Sequence, residues 1–234
     1  MTGVVLLALL QAVPASAASP AEAERLFAVG TELVAEGDTS GAVAAWQGAV
    51  ATGWTSAAAE HNLGTVALAR GQTAAARLHL ERAARLDPLD DAVVRNLALA
   101  RARAGAPEPS VVQAAGARVV AVVRPLGLVT LALALTFGAL ALLLMNRRRA
   151  ALAVGAVALL AVAAASGAVW ERTRPLAVAM SGAAVVESPS PNASAVARLR
   201  PGETVSVGEA EDGWRPVRVG RQSGWVRADA VAPI

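Results

Sequence analysis

The 234-residue chain has no cysteine, no tyrosine and only two histidines. Without thiols there are no disulfides and no cysteine-based zinc or iron–sulfur sites. Its 21 basic residues are all arginine, so lysine Schiff bases, lysine nucleophiles and a P-loop lysine are absent as well. Aromatic residues make up 3% of the sequence. His61 and His79 fall on different helical segments, and neither has an acid or a second histidine three or four residues away on its own face, the spacing a metal site needs. These absences leave no catalytic, cofactor or metal residues to name, and the sequence reads as a non-enzyme.

Apolar residues, by contrast, reach 55% and the formal net charge is +3. The charge is unevenly spread. Residues 18–106 hold 8 Arg and 10 acids, residues 107–174 hold 7 Arg and 2 acids, and residues 175–234 hold 6 of each. The excess therefore lies beside apolar stretches rather than on a polar face suited to phosphates, which argues against a nucleic-acid partner. At the amino end an apolar run from Val4 to Val13 is followed by Pro14, Ala15, Ser16 and Ala17. This A-x-A pattern predicts a signal peptide over 1–17.

Two uncharged runs, 126–145 and 150–169, are each long enough to cross a bilayer as a helix, at about 1.5 Å per residue and about 30 Å of hydrocarbon. Between them lies a short loop, 146–149, carrying Arg147, Arg148 and Arg149. By the positive-inside rule these three would be topology-determining and cytoplasmic. The expectation is a two-pass protein of the bacterial cytoplasmic (inner) membrane, in contact with the lipid bilayer, its soluble parts extracytoplasmic. Linkers would occupy 107–125 and 170–178.

Residues 18–106 repeat at an offset of 34. Gly30 recurs as Gly64, Gly37 as Gly71, Ala42 as Ala76 and Ala49 as Ala83, while Trp46 is replaced by Leu80. Small residues at such positions let paired helices cross closely, and Gly37 and Gly71 are helix stops. The spacing resembles the tetratricopeptide repeat: two repeats and a capping helix over Asp91 to Gly105. On that resemblance Ala76 sits at a helix contact and Ala74 faces water. The concave face would carry Phe27, Thr31, His61, Asn62, Thr65, Arg95 and Asn96 as candidate partner-binding residues. For His61 and Arg95 the alternative is an ordinary solvated helix face.

Beyond Arg174 the periodicity changes to short alternating strands separated by Pro, Gly, Asn and Asp clusters, which predicts a small barrel over 179–234 with strands at 183–186, 195–199, 204–207, 214–219 and 223–226. The segments Leu199-Arg200-Pro201-Gly202-Glu203-Thr204-Val205, Asp212-Gly213-Trp214 and Ser223-Gly224-Trp225-Val226 resemble a bacterial SH3 domain. Trp214 and Trp225 would be either barrel core or ligand-groove rim.

The expected fold is thus a multidomain membrane protein: an all-α tetratricopeptide repeat solenoid, two transmembrane helices and a C-terminal all-β SH3-like barrel. That order resembles the E-type proteins of the Bat, or aerotolerance-associated, family. The resemblance implies von Willebrand-type membrane proteins and a MoxR-like ATPase as protein partners, and a non-catalytic scaffold in an envelope stress or assembly complex. The alternative is a peptidoglycan-binding cell-wall accessory or sensor.

Overall fold

In the computed structural model, residues 19–106, 133–138, 140, 150, 152–157, 159 and 175–234 are described. The chain divides into two compact units, Met1–Thr55 and Ser56–Ile234.

The first unit is a helical hairpin of α1 (Pro20–Ala35) and α2 (Thr39–Ala51). Each helix begins on a side chain that accepts orphan backbone N–H groups. Ser19 accepts from Glu22 N, and Asp38 accepts from Ser40 N at 3.1 Å and Gly41 N at 2.8 Å. A small residue fixes the crossing. Gly30 is buried, and a β-carbon there would lie 2.5 Å from Trp46 Nε1 and 3.0 Å from the Ala42 carbonyl oxygen. Trp46 is itself 3% exposed and donates its indole N–H to the Phe27 carbonyl at 3.3 Å.

The second unit opens with α3 (Ala57–Ala69), α4 (Thr73–Leu86) and α5 (Asp91–Arg103). The crossing of α3 on α4 repeats that of α1 on α2: a β-carbon on Gly64 would fall 2.6 Å from Cγ of Leu80, which is fully buried. Ala67, Leu68, Ala76, Leu97 and Ala100 complete this core. Ala100 and Ala76 are fully buried, so a larger side chain at either would press on packed neighbours.

The same unit contains seven short strands: β1 (Leu176–Ala179), β2 (Ala184–Val186), β3 (Ala195–Arg198), β4 (Thr204–Val207), β5 (Trp214–Val219), β6 (Gln222–Arg227) and β7 (Val231–Pro233). All pairings are antiparallel and the order is β3-β2-β6-β5-β4-β1-β7. Alternation along β4, with Val205 and Val207 buried and Ser206 exposed, turns one face inward. There Val205 and Val207 meet Val185, Leu199, Val217, Val226 and Val231. Burying each such side chain contributes about 1.5–3 kcal/mol, which suits a barrel with few aromatics.

Two strands lie outside the five expected. β1 begins at Leu176, within the segment read as a linker over 170–178, and β7 pairs with it at the sheet edge. Ala74, expected to face water, is 9% exposed, and the Gly202 turn of the barrel approaches its Cα. The helices and the barrel are therefore in contact. Arg77 donates to the Gly202 carbonyl at 2.5 Å, Arg82 to the Pro233 carbonyl at 2.6 and 3.2 Å, and Arg85 to the Ile234 carbonyl at 2.8 Å. Burial pulls the guanidinium groups of Arg77 and Arg85 below the usual arginine range, opposed in both by the Glu81 carboxylate.

The expectation of a two-pass inner-membrane protein with two transmembrane helices is corrected here. Among the described residues no helix is long and apolar enough to cross a membrane. A count of uncharged residues measures apolarity but not continuous helix length. The remainder of the runs 126–145 and 150–169, the proposed signal peptide over 1–17, the linker over 107–125 and Arg147, Arg148 and Arg149 lie outside the described residues.

Candidate functional site

The barrel carries an open cleft of about 530 Å³, lined in part by Trp214, Arg227, Asp229, Ser181, Ala184 and Pro191. Its geometry starts in a turn. Asp212 and Gly213 both have positive φ, 48° and 78°, the conformation of a tight type I′ connection, and Glu211 and Trp214 exchange backbone hydrogen bonds of 2.8 Å across it. Trp214 thus enters β5 in a fixed orientation, and only 9% of it is exposed.

The opposite strand supplies the charge. A two-residue connection, Gly220-Arg221, pairs Val219 with Gln222, and counting outward along the hairpin sets Trp214 against Arg227. The Arg227 guanidinium carbon lies 5.7 Å from the centroid of the Trp214 ring, within cation–π range. Asp229 Oδ1 is 3.9 Å from Arg227 Nε, and both side chains are well exposed, at 79% and 61%. Ala183, Val186 and Ala230 add small apolar walls.

Trp225 lies on a second surface. It is half-buried and lines a cleft of about 390 Å³ with Glu187, Gly208, Pro216, Arg218 and Ser223. The two tryptophans, read as core or rim, therefore differ. Trp214 is packed on one side and lines a cleft on the other, whereas Trp225 remains more open.

Residues 180–233 match the family described as Bacterial SH3 domain. The barrel is a bacterial SH3 domain. Strand β1 precedes the matched region and joins β7 to the sheet by pairing with both β4 and β7. No curated protein and no solved structure matches the chain. A bacterial SH3 domain is a protein-binding or cell-wall-binding module, and both clefts in this one set an indole beside an exposed charge, Trp214 with Arg227 and Trp225 with Arg218.

The residues expected on a concave helical face divide between the two units. In the first, Phe27 packs against Trp54 with ring centroids 5.7 Å apart, and Thr31 donates its hydroxyl to the Phe27 carbonyl at 3.0 Å. In the second, the Asn96 side-chain amide donates to His61 Nε2 at 3.1 Å and to Thr65 Oγ1 at 3.0 Å. A neutral His61 that accepts at Nε2 carries its proton on Nδ1. Asn62 is half-buried and Arg95 is exposed. His61, Thr65 and Asn96 thus join α3 to α5 and satisfy one another, which gives them a structural task independent of any ligand.

A second polar cluster was not read from the sequence. Glu60 is 5% exposed and faces His79 Nδ1 at 2.6 Å and Arg82 at 3.7 Å. Glu81 accepts both arms of Arg101, at 2.9 and 2.8 Å, and lies 3.6 Å from Arg77 Nε. Among the described residues no group of histidine and acidic side chains is arranged to hold a metal ion. Both clusters pair arginine or histidine with a carboxylate, consistent with neutralising charge inside the helical layers.

Proposed function

We propose that this protein is a binding protein rather than a catalyst, and that its bacterial SH3 domain holds an extended segment of a protein partner in the Trp214 cleft. The observation that carries this reading is the cleft itself: a fixed indole, small apolar walls and an exposed arginine, all supplied by the barrel. Aromatic floors with a polar rim suit extended chains, because the indole offers a large contact surface at little conformational cost. The helices would serve as a tetratricopeptide-type second binding module. The 34-residue recurrence of the Gly30–Trp46 and Gly64–Leu80 crossings supports that assignment.

The assembly we assign it to is a Bat-type envelope complex, with von Willebrand-type membrane proteins and a MoxR-like ATPase as neighbours. This assignment rests on the resemblance in module order, helical repeats followed by a C-terminal SH3 domain. A photocrosslinking residue in place of Ser181, at the cleft, tests the reading in living cells. Protein adducts whose sequenced peptides come from such partners, and which vanish when Ala184→Arg fills the cleft, are the expected result. Adducts with cell-wall fragments alone would favour the peptidoglycan-binding alternative, for which the bacterial SH3 match also speaks. Adducts indifferent to Ala184→Arg would refute the assignment of the cleft.

A further inference from the structure

We infer that the ligand segment carries a carboxylate, that Arg227 is the residue selecting it, and that Asp229 is an internal competitor which the ligand displaces. This rests on the reading of the Trp214 cleft as a binding site for an extended protein segment.

The cleft is lined by two charged side chains, Arg227 and Asp229; its other lining residues are Trp214, serine, alanine, valine and proline. Among the described residues Arg227 is the only cation lining it, and it is placed by cross-strand pairing over a buried aromatic ring. The Arg227 side chain is 61% exposed, which leaves its guanidinium edge available, and that edge matches a carboxylate with two parallel hydrogen bonds. At 3.9 Å the Asp229 oxygen is beyond hydrogen-bond range of Arg227 Nε, and Asp229 is 79% exposed. Such a loose, solvated pair contributes little to stability. It does hold a negative charge beside the cation that a ligand would use. The carboxylate of a ligand reaching Arg227 would meet repulsion from Asp229, and a neutral residue there would remove it. The two substitutions therefore have opposite expected effects: neutralising Arg227 weakens an acidic ligand, and neutralising Asp229 strengthens it. A simple structural role for the pair predicts the same sign for both.

The test uses the full chain, immobilised, and two pools of random hexapeptides identical except that one central position is fixed as Glu in one pool and Gln in the other. We expect the Glu pool to be retained about tenfold better by the native chain, the difference expected when one charge-assisted contact is made in one pool only. Arg227→Gln should abolish the preference while circular dichroism stays unchanged, Arg227→Lys should keep only part of it, and Asp229→Asn should enlarge it. Equal retention of both pools, lost on Ala184→Arg, would overturn the carboxylate inference and leave the peptide-binding cleft standing. If no retention responds to Ala184→Arg, both fall. A preference surviving Arg227→Gln, or weakened by Asp229→Asn, overturns the inference. So does capture by purified sacculi that depends on Arg227 when neither pool is retained.

Discussion

A methyl group on Gly64 should destabilise the native chain and stabilise a chain in which Leu80 has been cut back. Gly64→Ala places a β-carbon 2.6 Å from Leu80 Cγ and 3.0 Å from Leu80 Cδ2, in a core where Leu80 is fully buried. Relieving that overlap costs about 1–3 kcal/mol. Replacing a helical glycine by alanine returns about 0.8–1 kcal/mol, so the net loss is roughly 0–2 kcal/mol. Leu80→Ala alone removes a fully buried side chain and should cost about 2–5 kcal/mol. In the double variant the new methyl meets the space vacated by Leu80. The overlap with Cγ and Cδ2 is gone, the main-chain nitrogen of residue 80 remains at 3.2 Å, and most of the helix-propensity gain survives. Gly64→Ala therefore changes sign between the two backgrounds, with a coupling energy of at least about 1 kcal/mol. Urea unfolding followed by circular dichroism at 222 nm measures it. Gly48→Ala is the control, because its β-carbon would lie 3.5 Å from Leu26 Cδ1, an ordinary contact, and it should be neutral or stabilising by up to about 1 kcal/mol. If Gly64→Ala has the same sign and size with and without Leu80, the close crossing is not what the glycine is for.

Two further outcomes are expected. Asp90 accepts from Ala92 N and Val93 N at the start of α5, and these backbone hydrogen bonds hold its carboxyl below the ordinary aspartate range of 3.8. Its pKa is lower folded than unfolded, so its contribution is present above the unfolded value and lost as pH falls through the folded one. Asp90→Asn keeps the cap and should flatten acid unfolding in that window, while Asp90→Ala should cost about 0.5–2 kcal/mol at pH 7; identical acid profiles for native and Asn chains would count against the cap. At the joint between helices and barrel, Arg82→Gln with Arg85→Gln removes three hydrogen bonds to the Pro233 and Ile234 carbonyls. The Ile234 amide, bonded to the Leu176 carbonyl, should then exchange faster with deuterium while Val205 and Val217 in the barrel core stay protected; uniform loss of protection would mean that the arginines hold the whole barrel.

Features governed by local chemistry were legible in the sequence. The glycine–bulky residue crossings, the stops at Gly37 and Gly71 with φ of 86° and 71°, and the Asp212-Gly213 turn each follow from residue type and spacing. The bacterial SH3 domain was legible for the same reason: turn residues punctuate its strands. Strand β1 was not, because Leu176-Ala177-Val178-Ala179 is apolar throughout and lies far in sequence from its partners β4 and β7. Nor was Arg227, although the register of the β5–β6 hairpin could have found it by counting from Gly220. The joint on α4 was hidden because the carbonyl partners of Arg77, Arg82 and Arg85 lie 125, 151 and 149 residues away along the chain. The two apolar runs misled in the opposite direction, since run length and apolarity predict two spanning helices and no such helix stands among the described residues.

The joint divides its information unequally between its two sides. Arg77, Arg82 and Arg85 all grip main-chain oxygens, and a carbonyl oxygen is offered by every amino acid. Substitutions at Pro233 or Ile234 that preserve the path of the backbone leave the acceptors in place, whereas a change at any of the three arginines deletes a donor. Gly202 is the exception on the barrel side: its φ is 82° and an added β-carbon would come within 3.1 Å of Ala104 Cβ. A drifting lineage could therefore rewrite the end of the barrel while the helix that reads it stays fixed, and the partnership would persist in sequences whose C-terminal residues no longer look alike.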